Sequence, residues 1–534
     1  MPRTVNRREV IAAPLAALAL AACGKPAGKT DPNAPRLLLR GNGPDPDSLD
    51  PHRARSTESM QVLRDLFEGL TRLDQAAAPI PGAAEGWSMS EDGLVYTFKL
   101  RPGLRWSNGD ALVAEDFVAG LRRLVDPATA SQYAQVVDVI VNASDIVAGQ
   151  KTVDSLGVAA PDAGTVMITL ATPAPYLPGL LAHPSCSPLH RPSLARLGDG
   201  FARAGEQVSN GAFVLKEWLQ GSYVLAARNR HYWNDAATRL DGVKYLQIAD
   251  ENAELRAYRA GELHMTVVVP RGQFDWIREH LGSELHVAPQ MSTYYYGFNL
   301  DRPKFQDLRV RRALSMVIDR ERLANSVLRV GELPAYSWVP PGVHDYQSQL
   351  FDYAATPVPQ RIAEAQQLLA AAGYSRDKPL DLELRYNNGE VHTKCAVAVA
   401  SMWKEALGVT TRLAGVEFKS MMQDIDRRDI DLYRLSWVGD YNDPYTFLQY
   451  MKRGFGINLM HYANPGYDAL LEAAARHVDP AQRRPLLEQA ERTALADHPL
   501  IPLYFYVNKH LVKPEVRGWY DNVMNIYYSQ HFSI

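Results

Sequence analysis

The chain has 534 residues, 46% hydrophobic and 22% charged, an ordinary globular composition whose length suggests about three domains. A formal net charge of −3 excludes the strong positive field that gathers nucleic acid, so no nucleic-acid partner is expected. Three cysteines are too few for a disulfide scaffold, and a chain of this size builds its core without one.

At the start, Arg3, Arg7 and Arg8 precede an uncharged segment from Val10 to Ala22. A positive start, a short apolar run and small residues before a cysteine predict a signal peptide over residues 1–22. The run is shorter than the roughly 20 residues that cross a bilayer as a helix. Leu20-Ala21-Ala22-Cys23 has the form of a bacterial lipobox, in which the Cys23 thiol is acylated and becomes the new N-terminus. The protein is therefore expected in the periplasm, lipid-anchored to a membrane of the cell envelope through Cys23. Residues 23–35 are small, polar and interrupted by proline, as in a flexible tether. Within them, Gly24 to Thr30 superficially resembles a phosphate loop, but the spacing is one residue short and no strand precedes it.

Folded sequence begins near Arg36. Val95 to Leu100 alternates as a strand, Arg101 to Asp110 is rich in turn residues, and Ala114 to Val125 carries Phe117, Leu121, Leu124 and Val125 at helical spacing. In the last third, Gln360 to Ala372 predicts a helix stopped by Gly373. Leu380 to Tyr386 alternates as a strand, Val391 to Leu407 is helical and Val409 to Leu413 alternates again. Phe418 to Arg428 is helical and Ile430 to Trp437 is a strand. This β-α-β-α-β order predicts a parallel sheet with right-handed crossovers. Ligands bind such sheets just beyond the carboxyl ends of the strands, here at Trp437-Val438-Gly439-Asp440-Tyr441-Asn442.

Catalytic signatures are missing from the sequence. The 14 histidines form no H-E-x-x-H pair, and His183 and His190 are separated by Pro184 and Pro188 in a turn-like stretch. There is no G-x-S-x-G elbow, and Gly41-Asn42-Gly43 lacks the third glycine of a dinucleotide loop. No cofactor and no enzymatic activity are expected. Cys186 and Cys395 are expected as reduced, structural thiols.

Taken together, several segments resemble the periplasmic oligopeptide-binding receptors of ABC transporters. They include Ser48-Leu49-Asp50-Pro51-His52, Asp65-Leu66-Phe67-Glu68-Gly69-Leu70, Trp106-Ser107-Asn108-Gly109 and Asn210-Gly211-Ala212-Phe213. Further along come Thr293-Tyr294-Tyr295-Tyr296, Val310-Arg311-Arg312-Ala313-Leu314, Asp440-Tyr441-Asn442-Asp443-Pro444 and Tyr504-Phe505-Tyr506-Val507-Asn508. The resemblance implies an α/β fold of two lobes closing on a ligand cleft, with an extra domain. The implied layout is a discontinuous first lobe (36–67, 191–291 and 507–534), an extra domain (68–190) and a second lobe (292–506). It further implies a monomer that captures short peptides and delivers them to an inner-membrane ABC permease.

The resemblance also places site residues. Asp440 falls where relatives hold a peptide's α-ammonium; by itself it could as well cap a turn at a strand end. Arg434 falls on the ligand's carboxylate side, or pairs structurally with Asp429 or Asp431. His392 matches a histidine serving longer peptides, or simply occupies the first turn of its helix. Trp437 and Ser436 precede Asp440, and Trp437 matches an aromatic pocket wall. Tyr133, Tyr295 and Tyr506 match cleft tyrosines, although lone aromatics are more often core. Phe418 stands where a tryptophan lines a pocket, and Val438 and Ser292 stand where relatives can carry a cysteine pair. Arg53 and Arg55 lie in a loop that carries an acidic residue in relatives, so they would favour acidic ligand side chains. This is the one support for a specialised ligand such as a murein peptide. An exported hydrolase is the rival of another class.

Overall fold

The computed structural model describes residues 35–477 and 479–534, so the expected signal peptide, Cys23 and all but the end of the tether lie outside the described residues. Arg36–Ile534 forms one compact unit. It contains two four-stranded sheets, a six-stranded sheet and a two-stranded ribbon.

In the first four-stranded sheet, Leu37–Gly41 runs parallel to Gly242–Leu246, which continues antiparallel into Tyr223–Arg228 and Phe213–Leu219. The helix Thr57–Leu66 belongs with this sheet and starts where the Ser56 side chain accepts from the Ser59 N–H. The second four-stranded sheet is antiparallel, in the order Ala84–Met89, Val95–Leu100, Thr165–Thr169, Val158–Asp162. The helix Ala114–Val125 packs on it, its apolar stripe of Phe117, Leu121, Leu124 and Val125 buried as the spacing required. These two sheets share one continuous apolar core, so residues 68–190 are not insulated from the residues before and after them.

The six-stranded sheet carries the β-α-β-α-β unit read from the sequence. Asp381–Asn387 lies between Thr410–Val416 and Leu432–Val438, parallel to both, with helices Glu390–Leu407 and Phe418–Asp426 as the connections. Two long strands then extend it: Leu285–Phe298, antiparallel to Leu432–Val438, and Leu500–Leu511, antiparallel to Leu285–Phe298. The sheet is therefore mixed rather than purely parallel. Gly297 marks the crowded point of this ladder, because a Cβ there would overlap the Tyr433 ring.

The two long strands reach into separate packing environments. Residues 293–297 pair with 500–505 inside the large core of the six-stranded sheet, and 285–289 pair with 507–511 beside a small core of Leu255, Tyr258, Phe274 and Ile277. The register shifts between Pro289 and Thr293, where the chain passes from one to the other.

Candidate functional site

The strand Leu432–Val438 organises the site. Alternation puts Arg434, Ser436 and Val438 on one face and Tyr433, Leu435 and Trp437 on the other. Arg434 pairs with Tyr296, Ser436 with Tyr294, and Val438 with Ser292, so these residues share a face. Neither Ser292 nor Val438 can form the cross-strand disulfide that cysteines at this pair of positions could make. Cys186 and Cys395 are both buried and unbridged.

Arg434 is buried on this face, with its guanidinium 4.3 Å over the Tyr294 ring. It donates to Asn387 Oδ1 at 3.0 Å and to the Tyr506 hydroxyl at 2.8 Å. Among the described residues no carboxylate stands within ion-pair distance of it. Asp429 pairs with Arg302 and Asp431 with Lys304, which removes the structural pairing weighed for Arg434. His392, in the first turn of helix Glu390–Leu407, brings Nδ1 to 3.4 Å from the Tyr294 hydroxyl. Burial and the charges of Arg434 and Arg271 push its pKa down to about 4, so it is neutral at physiological pH. Tyr506 is half-buried in the same group, and its ring stands 5.3 Å from that of Tyr504.

Beyond the strand the chain turns at Gly439, where a Cβ would come within 2.6 Å of Met291 and 3.0 Å of Phe447. The turn assigns a different task to each residue that follows. Asp440 receives no ion-pair partner among the described residues, and its backbone N–H donates to Thr446 Oγ1. Tyr441 stacks on Tyr176 with ring centroids 4.4 Å apart. Asn442 donates to the carbonyls of Ala76 and Ala77 and accepts from the His344 N–H. Asp443 is held by both terminal nitrogens of Arg483.

The Asp440 carboxyl can be reached by water, yet protein surrounds it on most sides. That crowding, with the charge of Asp138 added, raises its pKa to about 6. The Tyr133 hydroxyl also lies within reach of the Asp440 charge and donates to the Arg55 carbonyl at 3.3 Å. The half-buried Trp437 donates its Nε1–H to the Thr446 carbonyl at 2.9 Å, beside the turn.

The sequence-predicted residues thus fall into two groups of opposite polarity: Arg434, His392 and Tyr506 at one end, Asp440, Trp437 and Tyr133 at the other, with the half-buried Ser436 between. Phe418 is half-exposed at the start of its helix. Tyr295 departs from expectation. It lies on the Trp437 face, fully buried, its hydroxyl bonded to that of Tyr450 and its ring edge-on to Trp338. Tyr294 occupies the place beside Arg434 instead. The acidic-ligand argument from Arg53 and Arg55 also loses its basis, since Arg53 pairs with Asp199 at 2.8 Å and Arg55 with Asp47 at 3.3 Å. Asp138 and Arg271 were not anticipated, because no motif marks them and only the tertiary fold brings them here.

A separate cavity of about 570 Å³ lies between Trp87, Tyr176, Tyr441 and Arg483. Of the stretch Trp437 to Asn442 expected to meet a ligand, Tyr441 and Asn442 line it, whereas Asp440, Trp437 and Arg434 do not. Among the described residues no cluster of His, Cys, Asp and Glu could hold a metal ion.

Residues 78–458 match the family of bacterial extracellular solute-binding proteins, family 5. The chain belongs to this family. It is 38% identical over 526 residues to the periplasmic oligopeptide-binding protein OppA of Escherichia coli, with 96% of each chain covered. It is 39% identical over 507 residues to the probable deoxycholate-binding periplasmic protein YgiS of E. coli, with 94% of each covered. Its structure superposes on the MppA murein tripeptide-binding protein in its unliganded open form with a TM-score of 0.90, at 36% identity over 94% of this chain and 98% of that one. Against another structure of E. coli MppA, at the same identity, the TM-score is 0.73 over 94% of this chain and 99% of that one. The fold is the two-lobed one of this family.

Proposed function

We propose that the protein is the substrate-binding component of an ABC importer, capturing short oligopeptides in the cleft between its lobes and delivering them to a membrane permease. The observation that carries this reading is the pair Arg434 and Asp440. One strand and its turn present a buried guanidinium and a crowded carboxylate, neither with an ion-pair partner among the described residues. A peptide brings both missing charges, an ammonium for Asp440 and a carboxylate for the Arg434 end. Charge-assisted hydrogen bonds of this kind are roughly twice as strong as neutral ones. The peptide backbone adds strand-like hydrogen bonds that ignore side-chain identity.

Binding works by closure, without covalent chemistry. The lobes are 36–67 with 191–291 and 507–534, and 292–506; residues 68–190 form an extra domain. Leu285–Phe298 and Leu500–Leu511 cross between the lobes and serve as the hinge, flexing at the register shift after Pro289. A ligand gripped from both sides shifts the equilibrium toward the closed form by its differential affinity for it. The receptor acts as a monomer in the periplasm, tethered by the acylated Cys23, which keeps it near its permease while leaving the cleft free.

Calorimetric titration of the mature protein with tripeptides and tetrapeptides, and separately with deoxycholate, tests the reading. Saturable binding of peptides without binding of the bile salt supports it; the reverse overturns it.

A further inference from the structure

The turn that presents Asp440 belongs to the second lobe by sequence, yet it is fastened at both ends to residues outside that lobe's core. At its start, the Gly439 N–H donates to the Met291 carbonyl at 2.8 Å, and the Met291 N–H donates in turn to the Val523 carbonyl at 2.8 Å. Met291 is buried at the register shift of the strand Leu285–Phe298, so it joins the turn to the C-terminal segment where the chain passes between cores. At the other end, the buried Asn442 donates through Nδ2 to the carbonyls of Ala76 and Ala77, at 3.2 and 3.0 Å, while Oδ1 accepts from the His344 N–H at 2.9 Å. Ala76 and Ala77 lie at the tip of the ribbon Thr71–Leu73 and Pro79–Pro81. The tip is itself rigid: Asp74 Oδ1 accepts from the N–H groups of Ala76 and Ala78 at 2.8 Å each, and Ala77 is buried against Leu73 and Tyr528. Two acceptors on one side and a donor on the other suit an amide, whereas a carboxylate at 442 would face two carbonyls with no proton to give. Between the two fastenings, Tyr441 stacks on Tyr176.

We propose that Asn442 is a positioning residue for ligand binding: by tying the Asp440 turn to the ribbon tip it holds the carboxylate on the axis about which the lobes close, so that the place for an ammonium is ready before closure and moves little during it. This rests on the cleft being a peptide site. Two bodies that rotate while keeping two contacts turn about an axis through those contacts. Here the contacts are Gly439 with Met291 and Asn442 with Ala76 and Ala77, and Asp440 lies between them in the chain. A carboxylate on the axis takes the ammonium first, and groups farther from the axis close over the rest of the ligand. Its geometry is set in advance, which lowers the ordering cost of binding. Without the Asn442 bonds, the stronger hold on the turn is the pairing of Asp443 with Arg483, which lies within the second lobe. The turn then travels with that lobe, and Asp440 leaves the axis.

The test is calorimetry on the mature protein with two probes, trialanine and N-acetyl-trialanine. Asn442→Ala is expected to bind trialanine about tenfold more weakly than wild type while its affinity for the acetylated probe holds. In an Asp440→Ala background the same substitution should add no further loss, because Asn442 acts through that carboxylate. An equal loss on both probes, an undiminished loss in the Asp440→Ala background, or no loss at all overturns the positioning role and leaves the peptide reading in place. A second measurement needs no variant. Amide hydrogen exchange of wild type should find residues 439–446 slow to exchange without ligand and little changed by saturating trialanine. Fast exchange there in the ligand-free protein, or a large change on binding, overturns the proposal even where Asn442→Ala fails to fold. Failure of wild type to bind either probe overturns the peptide reading itself.

Discussion

Arg434 and Asp440 stand on one strand and the turn that ends it, with opposite charges and without ion-pair partners among the described residues. Arg434 to Val438 is extended strand, roughly 13 Å of backbone, before the turn at Gly439 that carries Asp440. A zwitterion laid along this strand satisfies both groups, whereas an uncharged or singly charged ligand leaves at least one unsatisfied.

Removing the carboxylate tests one end. Asp440→Ala is expected to weaken peptide affinity by more than ~1.4 kcal/mol, about tenfold, with the melting temperature not lowered, because the side chain holds no other group in place and its ionised form costs stability at neutral pH. N-acetylation of the peptide should cost wild type a similar factor and the variant almost nothing. Calorimetry on the four combinations checks this, and an unchanged affinity in the variant would remove Asp440 from the site.

The pKa of Asp440 sets a pH dependence of defined sign. Its value of about 6 lies above the ordinary 3.8, so in the ligand-free protein the ionised group costs stability above that pH. That cost fades as pH falls through about 6 toward 3.8. An ammonium ligand requires the ionised form. Affinity should therefore weaken as pH falls from about 7 to about 5, with proton release on binding in that range. His392, at about 4, does not titrate in that range. Calorimetry in buffers of different ionisation enthalpy detects the released proton, and Asp440→Asn should abolish it.

Glu491 supplies a stability test remote from the cleft. Fully buried, it accepts from the N–H groups of Trp338, Val339 and Gln349 and from the Tyr346 hydroxyl. Glu491→Ala leaves these donors without an acceptor and should cost on the order of 3 kcal/mol in denaturant unfolding.

Gly297→Ala should also destabilise, by about 2 kcal/mol, because the added methyl meets the Tyr433 ring in the middle of a ladder that cannot shift one strand alone. A variant of native stability would show that this point of the sheet yields more easily than its packing implies.

Local signals made part of this molecule legible before its fold was known. The helical spacing of Phe117, Leu121 and Leu124 and the alternation of Val95–Leu100 were enough to define those elements within a residue or two. The β-α-β-α-β order correctly placed Asp440 beyond a strand end, because parallel strands joined by short crossovers leave little topological choice. The pairing of Leu285–Phe298 with Leu500–Leu511 was not legible, since it joins segments about two hundred residues apart and no turn chemistry links them. For the same reason Tyr294 and Tyr295 could not be told apart: a one-residue step exchanges the two faces of a strand, and only the cross-strand register says which face meets Arg434. Arg53 and Arg55 looked like free cations because their partners, Asp199 and Asp47, are set by the fold.

The central claim is that peptide closes an open two-lobed receptor. Small-angle X-ray scattering of the mature protein, without ligand and with saturating tripeptide, tests it most directly. The account predicts an open envelope alone and a smaller radius of gyration with peptide, with Asp440→Ala needing more peptide to reach the same end point. A radius of gyration that stays the same at saturating peptide would contradict it.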